Sequence, residues 1–370
     1  MKGKQKVYKF IVVGGGTSGH INPAITIADA LKAYYADKGG CDIVFTGRKG
    51  GLEGELVPKA GYTLNDVTAK PFPMKPSIKM IKAVNALSKG KKQCKKLIEE
   101  FKPDAVIGTG GYVCAPLLLE AEKLKVPVIL HEANAFPGRA NKMLGNKADL
   151  VLTGFENLES SFPKAKKSVF VGNPIRSVMK DTDREKSREK LGLGPDDKLV
   201  FAMGGSLGAK TINDFILNLS KDEEFKNVKF VLGSGKQQST SFDASDIPAN
   251  LTVMEYIEDP QTYLSGADIC ITRAGAVTCA EIAATGACSV LVPYPFAAHD
   301  HQTFNARAFS DINGAVLVPD AEVNDKLKDV IRDLLNSEDK RMAMRANAKK
   351  LAVLDCDERI VGAIDEVLRK

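Results

Sequence analysis

An apolar strand that leads into a glycine-rich turn and then into a helical pattern occurs once in each half of the chain. The first strand, residues 8–13, runs into GGGTSG at 14–19, and the second, residues 199–203, runs into GGSLGA at 204–209. Glycines let backbone N–H groups approach a ligand closely, and the N-terminus of the following helix favours a phosphate. Each half is therefore predicted to be a nucleotide-binding type of fold, with a cleft between the halves.

Apolar runs and helical patterns alternate along the rest of the chain, which predicts parallel, doubly wound sheets. The fold class is therefore α/β, with two Rossmann-like domains. Strands are predicted at 8–13, 42–46, 105–109, 126–130 and 150–153 in the first half, and at 199–203, 269–272 and 289–292 in the second, with short strands near Val169, Phe230 and Val253. The charged segment 180–198 is interpreted as a hinge, and a last helix is predicted at about 357–368.

Length and composition exclude several classes of protein. A chain of 370 residues is too long for one typical core, and its net charge of +6 does not indicate a nucleic-acid partner. The seven cysteines include no Cys-x-x-Cys pair, so we expect reduced core residues rather than disulfides or a zinc site. The first apolar run is too short for a signal peptide, and no run reaches the roughly 18 apolar residues of a membrane span. We therefore expect a cytoplasmic protein.

The stretch 267–306 carries the most informative polar residues. Its two predicted strands end at Thr272 and at a Pro-Tyr-Pro turn, and ligands of α/β sheets bind at the carboxyl ends of strands. Glu281 is the one carboxylate on a helix predicted over 276–285 and closed by Gly286. An ionised carboxylate can accept hydrogen bonds from both hydroxyls of a ribose. The alternative is a solvated glutamate on an exposed helix face.

The first glycine-rich turn also fits the Gly-x-Gly-x-x-Gly fingerprint of dinucleotide-binding proteins. An NAD(P)-linked oxidoreductase is therefore an alternative function. That fingerprint requires an acidic residue at the end of the second strand, whereas this strand ends in Phe45-Thr46-Gly47-Arg48. Only a preference for NADP through Arg48 would retain this interpretation.

Five motifs occur in the order seen in one family: GGGTSGHINP from Gly14, HEAN from His131, VGNPIR from Val171, GGSLGA from Gly204 and RAGAVTCAE from Arg273. The chain resembles the MurG family of bacterial transferases along its whole length. That family moves N-acetylglucosamine from UDP-N-acetylglucosamine to the 4-hydroxyl of the muramyl sugar of undecaprenyl-pyrophosphoryl-muramyl-pentapeptide (lipid I), with inversion, which gives lipid II for peptidoglycan. The resemblance implies the glycosyltransferase-B architecture. It places an acceptor- and membrane-facing domain at 1–174 with the helix 353–370, and a UDP-sugar-binding domain at 175–352.

The resemblance also implies a donor site. The Ile257 backbone would read the uracil, Glu281 the ribose, and Gln302 and Asn134 the sugar hydroxyls. The remaining donor residues would surround the diphosphate and the sugar: Thr17, Ser18, Gly19, Arg176, Ser206, Ala276, Val277, Thr278, Cys279 and Ala280. Two positions depart from the family pattern. His301 precedes Gln302 where many relatives have a Gln-Gln pair, and Pro260 stands where a larger apolar residue is expected.

The attacking hydroxyl must lose a proton, and a histidine is suited to accept it at neutral pH. His20 directly follows the first glycine-rich turn and is the candidate base, with Glu132 as the next candidate. A His20 that only holds the turn is the alternative. We expect no metal and no other cofactor, because Asp181-Thr182-Asp183 resembles a metal-binding Asp-x-Asp but lies beside no glycine turn, where a helix cap is the simpler interpretation.

A basic segment is predicted to contact an anionic membrane surface. Residues 70–96 hold nine lysines and no acidic residue, with apolar residues at helical spacing. Lys75, Ile78, Lys79, Ile81 and Lys82 form the predicted membrane patch, and the protein is expected at the cytoplasmic face of the membrane. The alternative is a solvated helix whose apolar stripe packs in the core.

A diacylglycerol glycosyltransferase and a UDP-sugar epimerase are alternative functions for the whole protein, since both have a similar fold.

Overall fold

The computed structural model describes residues 6–73, 75, 77–236 and 242–369. The chain forms two compact units. The first unit comprises Met1–Pro174 and Asp355–Lys370, and the second comprises Ile175–Leu354. Among the described helices, none combines the length and apolar character that crossing a membrane requires.

The first unit contains a seven-stranded parallel sheet in the order β3-β2-β1-β4-β5-β6-β7. Its strands are β1 (Tyr8–Val13), β2 (Cys41–Gly47), β3 (Thr63–Asp66), β4 (Ala105–Gly108), β5 (Val128–Glu132), β6 (Leu150–Thr153) and β7 (Ser168–Phe170). Its helices are α1 (Ser18–Tyr35), α2 (Glu53–Lys59), α3 (Ile78–Phe101), α4 (Cys114–Lys123), α5 (Arg139–Gly145) and, at the end of the chain, α13 (Cys356–Leu368).

The second unit contains a six-stranded parallel sheet in the order β10-β9-β8-β11-β12-β13. Its strands are β8 (Lys198–Met203), β9 (Val228–Gly233), β10 (Leu251–Met254), β11 (Ile269–Thr272), β12 (Ser289–Leu291) and β13 (Ala315–Leu317). Its helices are α6 (Arg184–Lys190), α7 (Lys210–Ser220), α8 (Pro260–Gly266), α9 (Ala276–Thr285), α10 (His301–Ser310), α11 (Val323–Leu335) and α12 (Glu338–Lys349).

Strand order in each sheet fixes where a ligand can bind. The order reverses between β1 and β4 in the first unit, and between β8 and β11 in the second. At these points Val13 pairs with Gly108, and Met203 pairs with Thr272, so the carboxyl ends of neighbouring strands lie side by side. Ligands of open α/β sheets bind at such reversal points. The two glycine-rich turns follow β1 and β8, and both therefore lie at a predicted ligand edge.

The last helix packs in the core of the first unit. Ile360 and Ile364 of α13 are fully buried in the same apolar cluster as Leu31 of α1. Asp365 accepts hydrogen bonds from the hydroxyls of Tyr35 at 2.9 Å and Tyr34 at 3.2 Å. These contacts explain why the chain returns to the first unit after leaving the second.

The hinge interpretation of residues 180–198 is wrong. The division between the units lies at Pro174 and Ile175, and the charged segment belongs to the second unit, where part of it forms α6. Arg184 and Arg188 bind the buried carboxylate of Asp268, with N–O distances of 2.9 and 3.3 Å. Two edge strands, β3 and β13, are absent from the predicted set, and β5 begins two residues later than predicted.

Candidate active site

Glu281 is a buried carboxylate at the carboxyl edge of the second sheet. Helix α9, which carries it, begins after Gly275 and ends at Gly286 in the left-handed region, with φ of 63°. Only 9 % of Glu281 is exposed, so the alternative of a solvated glutamate is wrong. Burial raises the pKa of Glu281 to about 7, although Arg176 opposes this rise from 3.9 Å away.

The Glu281 carboxylate has unused acceptor capacity. Within the part of the chain that the structure describes, no N–H or O–H group donates a hydrogen bond to this carboxylate. Its ion-pair partner Arg176 is 3.9 Å away, and the Arg176 side chain is 47 % exposed to solvent. Buried polar groups normally have hydrogen-bond partners. A ligand with two adjacent hydroxyls would supply the donors that this carboxylate lacks.

The second glycine-rich turn lies at the same edge as Glu281. Gly205 and Gly208 adopt positive φ of 87° and 85°, and the Gly208 N–H closes the turn on the Gly205 carbonyl at 3.0 Å. Ser206 is exposed on this turn, and its carbonyl accepts the Lys236 N–H at 3.1 Å. Ile257, beyond β10, is buried close to Gly233 at the end of β9. The structure therefore brings Ser206 and Ile257 to one edge of the sheet.

The start of α9 is held by residues whose roles the sequence reasoning missed. Arg273 donates to the Val292 and Pro293 carbonyls at 3.3 and 3.1 Å and pairs with Asp320 at 2.5 Å. The buried Asn305 donates to the Ala274 carbonyl at 3.0 Å. Arg273 opens one of the recognised motifs, but its partners lie in the segment after β12 and in the turn before α11, which the motif does not include.

Gln302 lies in the first turn of α10, where its Oε1 accepts the Tyr294 N–H at 2.9 Å. Because Oε1 is bonded to the Pro-Tyr-Pro turn, the amide NH2 of Gln302 points away from that turn. The Nδ1 of the neighbouring His301 lies 2.8 Å from the Ala298 carbonyl, so that ring is bound locally. His299 and Asp300 both adopt left-handed backbone angles, with φ of 57° and 56°. Non-glycine residues rarely do so, and such conformations cluster at functional sites.

His20 is half-buried in the first turn of α1. Its Nδ1 lies 3.1 Å from the Thr109 carbonyl, and the Thr109 hydroxyl donates to the His20 carbonyl at 2.6 Å. Because a carbonyl only accepts, Nδ1 carries the hydrogen and Nε2 keeps its lone pair. This tautomer is the one that a general base needs, and the same bond also fixes the glycine-rich turn.

Glu132 at the end of β5 is buried, but its oxygens are already occupied. Oε1 accepts from the backbone N–H and the side-chain amide of Asn134, at 2.9 and 3.1 Å, and Oε2 accepts from Asn141 at 2.8 Å. Burial raises its pKa above the usual value, against these bonds. Neighbouring His131 is fully buried, and burial lowers its pKa to about 4. His131, Glu132 and Asn134 lie at the carboxyl end of β5, and Asn141 joins them through its hydrogen bond to Glu132.

A carboxylate that the sequence analysis did not single out, that of Glu53, lies behind the first glycine-rich turn. Glu53 is 1 % exposed, and its two oxygens accept the N–H groups of Gly16 at 3.4 Å and Arg48 at 3.1 Å. Thr17 and Gly19 are exposed on the other side of that turn, and Ser18 is half-buried. Glu53 therefore braces the turn from within the unit.

Asp183 caps α6, since its carboxylate accepts the Lys186 N–H at 2.8 Å. This agrees with the capping interpretation of the Asp-x-Asp sequence. Over the described ranges, no group of three or more His, Cys, Asp or Glu side chains has an arrangement that could hold a metal ion. All seven cysteines are free thiols, and six of them are buried.

Helix α3 has two different faces. Its buried residues are small for most of the length: Ala83, Ala86, Gly90, Cys94 and Ile98. Ile78 and Ile81 at its start are 74 % and 62 % exposed, and Val84 is 50 % exposed. Lys75, Lys79 and Lys82 are exposed beside them. The alternative in which these apolar residues pack in the core is therefore wrong.

Both halves of the chain match known glycosyltransferase domains. Residues 10–153 match the glycosyltransferase family 28 N-terminal domain, and residues 199–360 match the family 28 C-terminal domain. A relative from Acetivibrio thermocellus, named UDP-N-acetylglucosamine--N-acetylmuramyl-(pentapeptide) pyrophosphoryl-undecaprenol N-acetylglucosamine transferase, is 37% identical, and the alignment covers 98% of this chain and 98% of the relative. A relative of the same name from Halalkalibacterium halodurans is 37% identical over 98% of this chain and 100% of its own.

The chain belongs to this family of transferases. Its structure is also similar to the crystal structure of Acinetobacter baumannii MurG, with 27% identity, a TM-score of 0.77, and coverage of 97% of this chain and 99% of that one. The S. aureus MnaA-UDP co-structure shares the fold alone, at 16% identity and a TM-score of 0.71, over 98% and 97% of the two chains. The predicted fold class is therefore confirmed. The NAD(P)-linked alternative is not favoured, because both glycine-rich turns lie inside the matched glycosyltransferase domains.

Proposed function

We propose that this chain transfers N-acetylglucosamine from UDP-N-acetylglucosamine to N-acetylmuramyl-(pentapeptide) pyrophosphoryl-undecaprenol, lipid I, and so makes lipid II. Glu281 carries the proposal: it is a buried carboxylate that accepts no hydrogen bond from the described residues, and it lies at the ligand edge of a unit that matches the glycosyltransferase family 28 C-terminal domain. A ribose diol supplies two donors to such a carboxylate. The names of relatives aligned over nearly the full chain support the same sugar donor and acceptor.

The second unit would hold UDP-N-acetylglucosamine. The exposed Ser206 turn and the first residues of α9, 276–278, present backbone N–H groups at a helix N-terminus, which favours a diphosphate. Arg176 would add a positive charge beside Glu281, and the Ile257 backbone would read the uracil. Gln302 would donate its amide NH2 to a sugar hydroxyl. In the first unit, Thr17, Ser18, Gly19 and Asn134 are proposed to contact the diphosphate and the sugar.

The reaction needs one proton acceptor and one stabilised leaving group. The muramyl 4-hydroxyl oxygen forms a bond to the anomeric carbon while the bond from that carbon to the UDP oxygen breaks. The hydroxyl proton passes to Nε2 of His20, and UDP leaves with the electron pair. The α9 N-terminus and Arg176 stabilise the negative charge on UDP, so this mechanism uses no metal ion and no other cofactor.

The membrane patch is proposed to bring the enzyme to its lipid-linked acceptor. Ile78 and Ile81 are more than half exposed, and Lys75, Lys79 and Lys82 surround them. Each lysine near an anionic surface contributes about 1 kcal/mol of binding. Replacing the three lysines with glutamate should therefore lower sedimentation with anionic liposomes more than tenfold. Lys92, Lys95 and Lys96 lie exposed farther along α3. Equal losses after reversing these three would contradict a localised patch.

An acceptor assay tests the function directly. The protein is incubated with labelled UDP-N-acetylglucosamine and either lipid I or diacylglycerol, both in anionic vesicles. We expect label in the lipid product only with lipid I. Transfer to diacylglycerol instead would identify the alternative transferase. Conversion of the UDP-sugar to its epimer without any acceptor would identify an epimerase, whose fold is similar.

A further inference from the structure

A cavity of about 480 Å³ lies at the carboxyl edge of the first sheet, beside β2 and β3. It is lined by Arg48, Gly50 and the continuous segment Asp66, Val67, Thr68, Ala69, Lys70 and Pro71. Its volume falls within the range of about 300–1,000 Å³ that is typical of small-molecule sites. None of the roles proposed above for the donor, the base or the membrane patch uses this cavity.

The cavity adjoins the first glycine-rich turn through two shared partners. The Arg48 guanidinium donates to the Tyr112 hydroxyl at 2.5 Å, and a Cβ added to Gly16 would lie 3.3 Å from the Tyr112 ring. Arg48 and Gly16 also donate their backbone N–H groups to the two oxygens of Glu53. Arg48 is therefore fixed between the cavity and the turn that precedes His20.

The charge of Arg48 is not neutralised within the unit. Arg48 is half-buried, and no described carboxylate lies within ion-pair distance of its guanidinium or of the Lys70 amine. A guanidinium has five N–H donors, and Arg48 directs one of its nitrogens to Tyr112. Asp66 is the one acidic residue of the lining, and its carboxylate accepts the Lys49 N–H at 2.9 Å. Two cations and one anion leave the cavity basic.

We propose that this cavity binds an anionic group of the acceptor, with Arg48 as the contacting residue. The inference rests on the proposed function, because a lipid-linked muramyl-pentapeptide carries two kinds of anion, the diphosphate and the peptide carboxylates. Arginine binds either group through paired N–H donors. The cavity lies in the first unit, whereas Glu281 and Arg176 belong to the second.

Three variants test the proposal at saturating UDP-N-acetylglucosamine with lipid I varied. Arg48→Gln should raise the acceptor KM about 10- to 100-fold, which corresponds to the loss of hydrogen bonds to a charged group, and leave the donor KM unchanged. Asp66→Asn keeps an oxygen for the Lys49 N–H but removes the anion, so it should lower the acceptor KM. Lys49→Gln removes an adjacent exposed charge that does not line the cavity and should change neither constant. If Arg48 had only a structural role, the acceptor KM would not rise in Arg48→Gln and fall in Asp66→Asn.

A peptide-free acceptor identifies the anion. If Arg48 binds the diphosphate, Arg48→Gln raises the KM for the peptide-free acceptor as much as it raises the KM for lipid I. If Arg48 binds a peptide carboxylate, the variant and the wild type have the same KM for the peptide-free acceptor. Acceptor KM values for Arg48→Gln and Lys49→Gln that agree within twofold would overturn the proposal, as would an equal rise in the donor KM. If Arg48→Gln does not fold, as judged by thermal unfolding, Lys70→Gln must show a smaller rise in the same direction.

Failure of the proposed function is distinguishable from failure of this inference. In the first case the wild-type protein does not glycosylate lipid I at all. The cavity is then tested by calorimetric titration with inorganic pyrophosphate and with a peptide carboxylate, while excess UDP occupies the donor site. Binding of either probe that weakens at least tenfold in Arg48→Gln and not in Lys49→Gln supports the cavity as an anion site. Equal binding by all three proteins, or no binding, overturns it.

Discussion

Two buried glutamates, one in each unit, have opposite hydrogen-bonding environments. Glu132 in the first unit accepts three hydrogen bonds from Asn134 and Asn141, whereas Glu281 in the second unit accepts none from any described residue. Burial of an unpaired charge is costly. Glu132 is thus a fixed anchor for its neighbours, and Glu281 keeps acceptor capacity that only a ligand can use. The comparison distinguishes a carboxylate that builds a site from one that reads a substrate.

The two glycine-rich turns differ in the same way. In the first, the N–H of Gly16 points to Glu53 behind the turn, while the second closes on itself through Gly205 and Gly208. A carboxylate behind the first turn disfavours a second anion at that N–H. Similar glycine patterns therefore do not make equivalent phosphate sites, and the tightly bound diphosphate is expected at the second turn.

The largest effect is expected from replacing His20, the residue of the first unit that is proposed to accept the proton. His20→Ala should lower turnover about 10²- to 10⁴-fold, leave UDP binding close to normal and remove the acidic limb of the pH profile. His301→Gln is a matched control, because His301 also binds a backbone carbonyl through Nδ1, and we expect less than a tenfold effect. A His20→Ala enzyme that keeps its acidic limb would limit His20 to holding the turn and would make Glu132 the next residue to test.

The next effect concerns stability and has opposite signs for the two glutamates. The folded pKa of Glu281, about 7, lies above its usual value of 4.5, so folding favours the protonated form. Its contribution to stability is therefore greatest below pH 4.5 and is lost as pH rises to 7, by at most about 3 kcal/mol. Glu281→Gln should unfold at a higher temperature than the wild type at pH 8, with little difference at pH 4.5.

Glu132→Ala should do the reverse. It removes the acceptor of the half-buried Asn134 amide and of the buried Asn141 amide, and the loss at the buried Asn141 costs about 1–3 kcal/mol. Calorimetry of the unliganded proteins at pH 8 measures both variants. If Glu281→Gln is as destabilising as Glu132→Ala, Glu281 has internal partners and the comparison fails.

The smallest effect is on donor binding. Glu281→Gln loses part of the bonding to the ribose diol, on the order of 1–3 kcal/mol, or about 5- to 150-fold in KM for UDP-N-acetylglucosamine. The deoxyribose analogue of the donor sharpens this test, because the wild type should discriminate against it and the variant should not. Unchanged donor kinetics would remove Glu281 from the site.

Local sequence signals were enough for the central elements. The predicted bounds of β1, β6, β11 and α9 match the structure, because a glycine follows β1, β6 and α9 directly and follows β11 within three residues. The edge strands β3 and β13 were missed because they are short and their side chains are partly exposed. Such segments lack the continuous apolar run of a buried parallel strand.

Partners that are distant in sequence explain the other errors. Arg184 and Arg188 lie in a charged segment of the sequence, which predicts solvent-exposed side chains. In the structure they bind the buried carboxylate of Asp268, which lies about 80 residues later in the chain. Glu53 could not be recognised either, since Gly16, one of the groups that it holds, precedes it by a whole strand and helix. The candidate roles of Glu281 and His20 were predicted from their side-chain chemistry and their positions, and the family resemblance also implied the role of Glu281, but only the structure provides the burial of one and the tautomer of the other.

The return of α13 to the first unit has a consequence for biosynthesis. Because Ile360 and Ile364 fill the same core as α1, the first unit cannot finish folding while the ribosome is still making the second. Domains generally fold in order of synthesis, but here the later unit can reach its native state first. Until α13 has left the ribosome, the first unit leaves part of its apolar core exposed, so chaperones that recognise such surfaces have longer to bind the first unit than the second.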